Sequence, residues 1–250
     1  MHIPTIPTPD PDHLQTLLDR HTAAAVVGRV GLGKTGLLRA LEARWEGPVF
    51  RVHYNRAEAG TDYSGIDVLL ASLGAPSIED ATAAPEAVLS ALRAAELPDD
   101  GLIVILGADK MDRPSQDVLG QWLRRSQSGR TRMVISVNAL PTDSPLAPLP
   151  TVELRELDHG ELVALAQEEC GGGLSEAAAH VAAAASSGLP LALRHILETL
   201  PREELFQSGK EELFRTAMGI LGLQERVRSK LFLRRDRHGR FFSVLVYIPR

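Results

Sequence analysis

The hydrophobic pattern of the chain changes at about residue 158. Before that point, five short apolar or alternating runs of strand length are separated by stretches in which apolar residues recur every three or four positions, the spacing of an α-helix. Strands that alternate with helices predict an α/β fold, with a parallel sheet covered by helices on both faces. The predicted strands are 23–27, 49–54, 102–106, 133–137 and 152–157, and the predicted helices are 13–20 (with Asp12 as the N-cap), 37–45, 63–73, 83–97 and 115–126.

From residue 158 the pattern is helical alone, over 161–170, 175–186 and 189–200, and predicts a small helical subdomain. A further helix is predicted over 211–223. Two strand-like runs, 227–233 and 241–248, then flank Gly239 and predict a β-hairpin. A two-stranded hairpin needs a surface to pack on, so we expect it to contact the helical region or another chain. The predicted domains are therefore residues 1–157, 158–200 and 201–250.

Composition places the chain among ordinary globular proteins, with 44% hydrophobic and 24% charged residues. The net charge of −5 gives no general reason to expect a nucleic-acid partner. Cys170 is the single cysteine, which excludes an internal disulfide and fits a reducing cytoplasm. The first residues lack the pattern of a signal peptide, and no apolar run has the ~18 residues of a membrane span. We therefore expect a cytoplasmic protein without a membrane partner.

The segment after the first predicted strand carries the clearest chemistry. It reads G-x-x-x-x-G-K-T and is followed by a helix that starts near Lys34, the arrangement of a phosphate-binding loop (P-loop, Walker A). Glycines let the backbone N–H groups turn toward phosphate oxygens, Lys34 reaches the β- and γ-phosphates, and the Thr35 hydroxyl binds Mg²⁺. The alternative is an ordinary glycine-rich turn between strand and helix. The predicted nucleotide-binding residues are Gly28, Gly31, Gly33, Lys34, Thr35 and Gly36.

Hydrolysis of a nucleoside triphosphate also needs a carboxylate for Mg²⁺ and a group that orients water. The buried strand 102–106 is the expected position for the carboxylate, but its end carries Leu106 and Gly107. The first acid after it is Asp109, which we predict as a catalytic residue and metal ligand; the alternative is a solvated loop or capping aspartate. Asn138 follows the strand 133–137 and is the second candidate, as a contact to the γ-phosphate or as a turn residue. The sequence supports nucleotide binding better than turnover.

Residues 20–195 resemble the ATPase module of STAND-type and AAA+-like regulators, including that of large LuxR-type transcription factors. The resemblance rests on the phosphate-binding loop, on the strand 102–106 with the following residues 108–112, and on the sequence Gly-Leu-Pro-Leu at 188–191. It implies ATP and Mg²⁺ as ligands and places Pro190 beside the nucleotide base. Two departures weaken the implied hydrolysis: the paired acids of that family are replaced by Leu106 and Gly107, and Asn138 stands in place of an arginine.

Residues 196–250 resemble a non-catalytic stretch of large bacterial NAD-specific glutamate dehydrogenases. The matching segments are 198–207, 223–226, 231–236 and 245–250. They include none of the nicotinamide-binding or catalytic residues of that enzyme. The chain therefore resembles a composite, with a regulator-like ATPase module that runs into a dehydrogenase fragment near residues 194–200.

Three functions follow from these patterns. The leading hypothesis is an ATP-binding regulatory switch with weak or absent hydrolysis. The first alternative is an active ATPase of the AAA+/STAND type, in which Asp109 holds Mg²⁺ and Asp112 or Asn138 positions water. The second is a protein-interaction module or inactive fragment related to the dehydrogenase, whose hairpin docks a protein partner or a second copy. A basic cluster between residues 226 and 240 is interpreted as a solvated hairpin face rather than a nucleic-acid site.

Overall fold

The structure is a computed structural model and describes residues 10–54, 61–78, 84–95, 97, 99–125, 130–199, 229–235 and 241–247. The chain divides into two units, one spanning Thr8–Leu154 and the other containing Arg155–Arg250. Among the described residues, no helix has the length and apolar character needed to cross a membrane.

The first unit alternates strands with helices, as predicted. Its elements are α1 (Pro11–Arg20), β1 (Ala23–Val27), α2 (Lys34–Arg44), β2 (Val49–His53), α3 (Ser64–Ser72), α4 (Pro85–Ala94), β3 (Leu102–Leu106), a one-turn 3-10 helix (Ala108–Lys110), α5 (Arg113–Arg125), β4 (Arg132–Val137) and β5 (Thr151–Glu153).

The five strands form one parallel sheet in the order β2-β3-β4-β1-β5. Val27 of β1 pairs with Val137 of β4, and Leu106 of β3 pairs with Ser136 of β4. The carboxyl ends of β1, β4 and β3 therefore lie side by side, although their sequence positions are far apart. The groups that follow these three strands meet at one edge of the sheet, where ligands of open α/β sheets bind.

Both faces of the central strands β1, β3 and β4 are buried, which explains their continuous apolar runs. Along β3, Leu102 and Val104 belong to the core that α1 and α2 cover, while Ile103 and Ile105 belong to the core under α3, α4 and α5. Alternation along a strand sends successive side chains to opposite faces. The sheet is thus a rigid layer between two helical layers.

The second unit contains α6 (His159–Glu169), α7 (Glu176–Ser186), α8 (Pro190–Thr199) and the antiparallel pair β6 (Ser229–Arg235) and β7 (Phe241–Tyr247). α6 begins with a capping box, in which the Asp158 carboxylate accepts from the Glu161 N–H and the Glu161 side chain accepts from the Asp158 N–H. Alanine and leucine side chains fill the core between the three helices. The predicted helix 211–223 lies outside the described residues.

Several predicted ends were wrong. Asp10, not Asp12, caps α1, because Pro11 starts the helix and the Asp10 carboxylate accepts from the Asp12 N–H at 2.8 Å. The predicted fifth strand 152–157 is shorter and ends at Glu153, where its pairing with β1 ends at Val27. α4 spans ten residues rather than the fifteen of 83–97.

Candidate functional site

The segment that joins β1 to α2 contains two glycines with a left-handed backbone. Gly31 and Gly33 have φ of 93° and 97°, in the left-handed region that glycine adopts without strain. Gly33 is the N-cap of α2 and makes no side-chain cap, so no N-cap side chain engages the first amides, where the positive end of the helix dipole lies. The described geometry matches what an anion requires.

Gly28 meets a different constraint, close packing. A Cβ built at this position would lie 3.0 Å from the Leu154 Cβ and 3.3 Å from Leu32 Cδ1. Leu32 itself is buried, with 5% of its surface exposed, and its burial fixes the loop to the core. A larger residue at position 28 would push the loop away from β5.

Lys34 begins a row of hydrogen-bonded side chains that lies across the carboxyl ends of β1, β4 and β3. Its ammonium donates to the carbonyl oxygens of Gly28 and Arg29 and, at 3.1 Å, to Asn138 Oδ1. The Asn138 Nδ2 group then donates to Asp109 Oδ2 at 2.9 Å. The three side chains follow β1, β4 and β3, so the strand order brings Lys34, Asn138 and Asp109 together.

The second carboxylate oxygen of Asp109 is the unusual atom of the site. Asp109 Oδ1 is buried and has no hydrogen-bond partner among the described residues. An unpaired buried carboxylate oxygen is unfavourable, and a bound cation is one group that would satisfy it. A carboxylate oxygen is the donor type that Mg²⁺ prefers, and the role of Asp109 as a metal ligand stays a prediction.

The pKa of Lys34 lies below its ordinary value. Burial lowers the pKa most, the Asp109 carboxylate raises it, and Lys110 lowers it further. An ammonium in partial burial gains more from an anionic ligand than a solvated one does, because water screens it less. The site is thus an electropositive position next to an acceptor, the arrangement that a bound phosphate with its metal would use.

The roles of the other predicted residues, Thr35, Gly36 and Pro190, stay predictions. Thr35 and Gly36 are exposed in the first turn of α2. Pro190 opens α8 in the second unit, so its predicted position beside the nucleotide base stays a prediction.

Asp112 has a different environment from the one that a water-positioning role would need. The carboxylate is buried, with 8% of the residue exposed, and both of its oxygens accept hydrogen bonds. Burial raises its pKa, but the hydrogen bonds from Ser115, Gly65 and Tyr63 together lower the pKa below its usual value. The sequence gives one indication that Asp112 caps a helix: it immediately precedes α5, and Ser115 follows three positions later.

A cavity of about 350 Å³ opens beside Asp109 and Asn138. The start of α5 forms one wall and the segment after β4 forms the other. Its lining combines polar and apolar side chains, as small-molecule sites do. The remaining lining residues are Arg113, Gln116, Val137, Ala139, Leu140, Pro141, Asp143, Ser144 and Leu146.

Solved structures with the same fold are P-loop ATPases. Cdc6p from Pyrobaculum aerophilum superposes with a TM-score of 0.57 at 16% identity, over 78% of this chain and 62% of that one. A Walker-type ATPase of Pyrococcus abyssi gives 0.55 at 15% identity, over 85% and 71%. The RuvB Holliday junction branch migration motor of Thermotoga maritima gives 0.53 at 14%, over 85% and 68%. The predicted P-loop NTPase fold is confirmed, and the narrower likeness to LuxR-type regulators stays a prediction.

The carboxyl-terminal part matches a different protein. The family model described as glutamate dehydrogenase, helical motif 1, covers residues 189–226. The NAD-specific glutamate dehydrogenase of Halomonas elongata is 53% identical over 58 residues, and that of Pseudomonas aeruginosa is 50% identical over 58. The match covers 23% of this chain and only 4% of each enzyme. The predicted resemblance to a dehydrogenase fragment is confirmed.

Proposed function

We propose that the chain binds a nucleoside triphosphate with Mg²⁺ at the loop between β1 and α2 and acts as a regulatory switch with weak or absent hydrolysis. The observation that carries the proposal is the hydrogen-bonded chain from Lys34 through Asn138 to the half-satisfied carboxylate of Asp109. These three groups offer a cation for the phosphates, an amide between them, and an acceptor for a metal ion.

The contacts of Lys34 suggest how binding would change the site. Its ammonium donates to two loop carbonyls, both neutral acceptors. A phosphate oxygen is a stronger acceptor, because hydrogen bonds between charged groups are roughly twice as strong as neutral ones. Lys34 would therefore turn to the phosphates, and its bond to Asn138 would break or shift. A shift of Asn138 would then alter its hydrogen bond to Asp109, so nucleotide binding at Lys34 would affect the Asp109 carboxylate.

Asp109 would hold Mg²⁺ together with the Thr35 hydroxyl, and the metal would neutralise charge on the phosphates. The end of β3 carries Leu106 and Gly107, so a second carboxylate that could activate water is missing from that position. Asp112 does not replace it, because both of its oxygens are engaged. This supports slow or absent turnover. The choice of ATP rests on the resemblance to STAND and AAA+ modules, as does the predicted role of Pro190.

An active ATPase is the second candidate, favoured by the buried free oxygen of Asp109. In that reading Asn138 would orient the attacking water while Asp109 holds the metal. Phosphate release by the parent and by Asp109→Ala decides between the two functions. Release above about 0.1 per second in the parent, lost in the variant, would support the enzyme, since enzymes in general turn over at about 1–10³ per second.

Titration calorimetry with ATP, with and without Mg²⁺, tests nucleotide binding. Lys34→Ala should weaken ATP binding by roughly tenfold or more under both conditions, because a charged hydrogen bond contributes about 1.5–3 kcal/mol. Arg39→Ala is the matched control, since it removes an exposed cation from the same helix without touching the loop. Equal ATP affinities for the parent and Lys34→Ala would refute the proposed site.

A further inference from the structure

The buried carboxylate of Asp112 joins the turn that carries the proposed metal ligand Asp109 to the starts of two helices, α3 and α5. Asp112 Oδ1 accepts from the backbone N–H groups of Tyr63 at 3.0 Å and Ser115 at 2.8 Å. Asp112 Oδ2 accepts from the Gly65 N–H at 3.0 Å and from the hydroxyls of Ser64 at 3.2 Å and Ser115 at 2.6 Å. All five contacts come from the beginnings of α3 and α5.

Asp112 thereby caps two helices at once. For α5 it precedes the helix and binds the N–H group of the third residue, the usual N-cap pattern. For α3 the local N-cap is Tyr63, whose φ is 64° and whose side chain makes no cap. The carboxylate of Asp112 supplies that missing acceptor from 47 to 49 residues away. The two helix starts are thus tied to one point.

The same residue ends the turn that carries Asp109. The turn begins at Gly107, whose N–H donates to the carbonyl and the hydroxyl oxygens of Ser136. Within it, the Lys110 N–H donates to the Gly107 carbonyl and the Met111 N–H to the Ala108 carbonyl. Asp112 closes it. The position of Asp109 is therefore set from both ends, by β4 at the start and by Asp112 at the finish.

We propose that Asp112 is a positioning residue for the Mg²⁺ ligand Asp109: by fixing the end of the turn to α3 and α5, it holds Asp109 Oδ1 in the place where the metal ion of a bound nucleotide is coordinated. This inference rests on the proposed function. Asp112 does not coordinate the ion, because its two oxygens are occupied by protein donors. Its effect on metal binding acts through Asp109.

Asparagine at position 112 is the informative substitution. Its side-chain oxygen still accepts from Tyr63 and Ser115 N–H groups, but its NH₂ group faces the Gly65 N–H, a donor against a donor. The contact with the Gly65 N–H is lost, so the link between the turn and α3 is weakened, while the cap of α5 is retained. The phosphate contacts of Lys34 lie on another loop and stay intact.

The experiment measures ATP affinity by calorimetry on the full chain, with Mg²⁺ and with EDTA, and takes the ratio as the Mg²⁺ enhancement. Asp112→Asn should reduce this ratio by about tenfold or more, the usual effect of losing a residue that supports a metal ligand. Its affinity in EDTA should stay within about twofold of the parent, since that measurement reports the loop and Lys34 alone.

Controls separate this proposal from the proposed function. Asp67→Asn alters an aspartate of α3 that also accepts a backbone N–H, from Ile78, and should leave the ratio unchanged. Ser115→Ala removes one contact to Asp112 and should lower the Mg²⁺ enhancement less than Asp112→Asn does. If Asp112→Asn does not fold, the Mg²⁺ enhancement of Ser115→Ala tests the positioning role instead. An unchanged ratio in the folded variant overturns the positioning role. A parent that binds no ATP overturns the proposed function instead.

Discussion

Gly107 shows how one residue without a side chain shapes the site. Its φ of 74° is left-handed, and a Cβ there would lie 3.0 Å from the Tyr54 carbonyl oxygen. From the sequence, Gly107 was noted only because it occupies a position where an acidic residue was expected. In the structure it lets the chain leave β3 sharply, so that Asp109 reaches Asn138. No pattern of spacing reveals this, because the carbonyl that excludes a side chain belongs to the residue that follows β2.

Gly107→Ala should therefore destabilise the fold by about 1–2 kcal/mol, the free-energy cost of a left-handed conformation for a residue with a Cβ. Urea unfolding measures the loss. Gly160→Ala is the matched control in α6, where the nearest atom to a Cβ is 3.4 Å away and the backbone has no positive φ. That change should be neutral or stabilise by about 0.5–1 kcal/mol. Equal effects of the two substitutions would show that Gly107 is not strained.

The residues with a fixed spacing were the ones that the sequence could identify. Lys34 and Thr35 follow from the glycine pattern alone, and Asn138 and Asp109 follow from their position after strands. The partners of Asp112 could not be found in this way, because Tyr63 and Gly65 come from a helix start nearly fifty positions earlier. A capping signal names the helix that a residue begins, but not a second helix that it supports through space.

At the scale of elements, the existence of strands and helices was predictable and their ends were less so. β3 was predicted to the residue because all five of its positions are apolar and the first four are buried, on both faces of the sheet. The order β2-β3-β4-β1-β5 was not predicted, since hydrophobic pattern carries no information on which strands pair. That order is what brings Lys34, Asn138 and Asp109 into one chain.

The contact between α6 and α7 predicts a pH dependence. His159 Nε2 and His180 Nδ1 are 2.8 Å apart, so one ring donates and the other must be unprotonated there. Burial lowers the pKa of His159, His180 lowers it further, and Asp158 opposes the shift. The folded state therefore binds fewer protons than the unfolded state below about pH 6.5, and stability is lost as the pH falls through that value.

Urea unfolding at pH 7.5 and 5.5 checks this dependence. The midpoint of the parent should fall more than that of His159→Gln, whose side chain does not titrate. His13→Gln is the control, as His13 is exposed on α1. If His159→Gln loses as much stability as the parent between the two pH values, the pair does not control the dependence.

The approach of α5 to the segment after β4 gives a third prediction. A Cβ at Gly120 would lie 2.6 Å from the Pro145 carbonyl oxygen and 2.9 Å from the Pro145 Cβ. Gly120→Ala should destabilise by about 1–3 kcal/mol in urea unfolding, because the helix and the segment must separate. The sign is diagnostic: in a solvent-exposed helix the same change stabilises by about 1 kcal/mol, and a gain in stability would contradict the close packing.

At the scale of the molecule, the proposed site and the dehydrogenase-like segment belong to different units. Every described group of the hydrogen-bonded chain lies within Thr8–Leu154, whereas the family match spans residues 189–226. The match covers 58 residues and 4% of the enzyme, so it shows similarity to a fragment of that protein. The sequence predicted this composite character because the two resemblances cover different residues.

Removal of residues 201–250 should therefore leave the affinity for ATP with Mg²⁺ within about twofold of the parent, since Lys34, Asn138 and Asp109 hold one another without the tail. Calorimetry measures this, and analytical ultracentrifugation of the same samples shows whether the hairpin pairs copies of the chain. Pro190→Ala in the full chain is the second arm, because a proline beside the base would contribute to ATP affinity but not to binding of inorganic triphosphate. A truncated chain that folds but no longer binds ATP would place part of the site in residues 201–250.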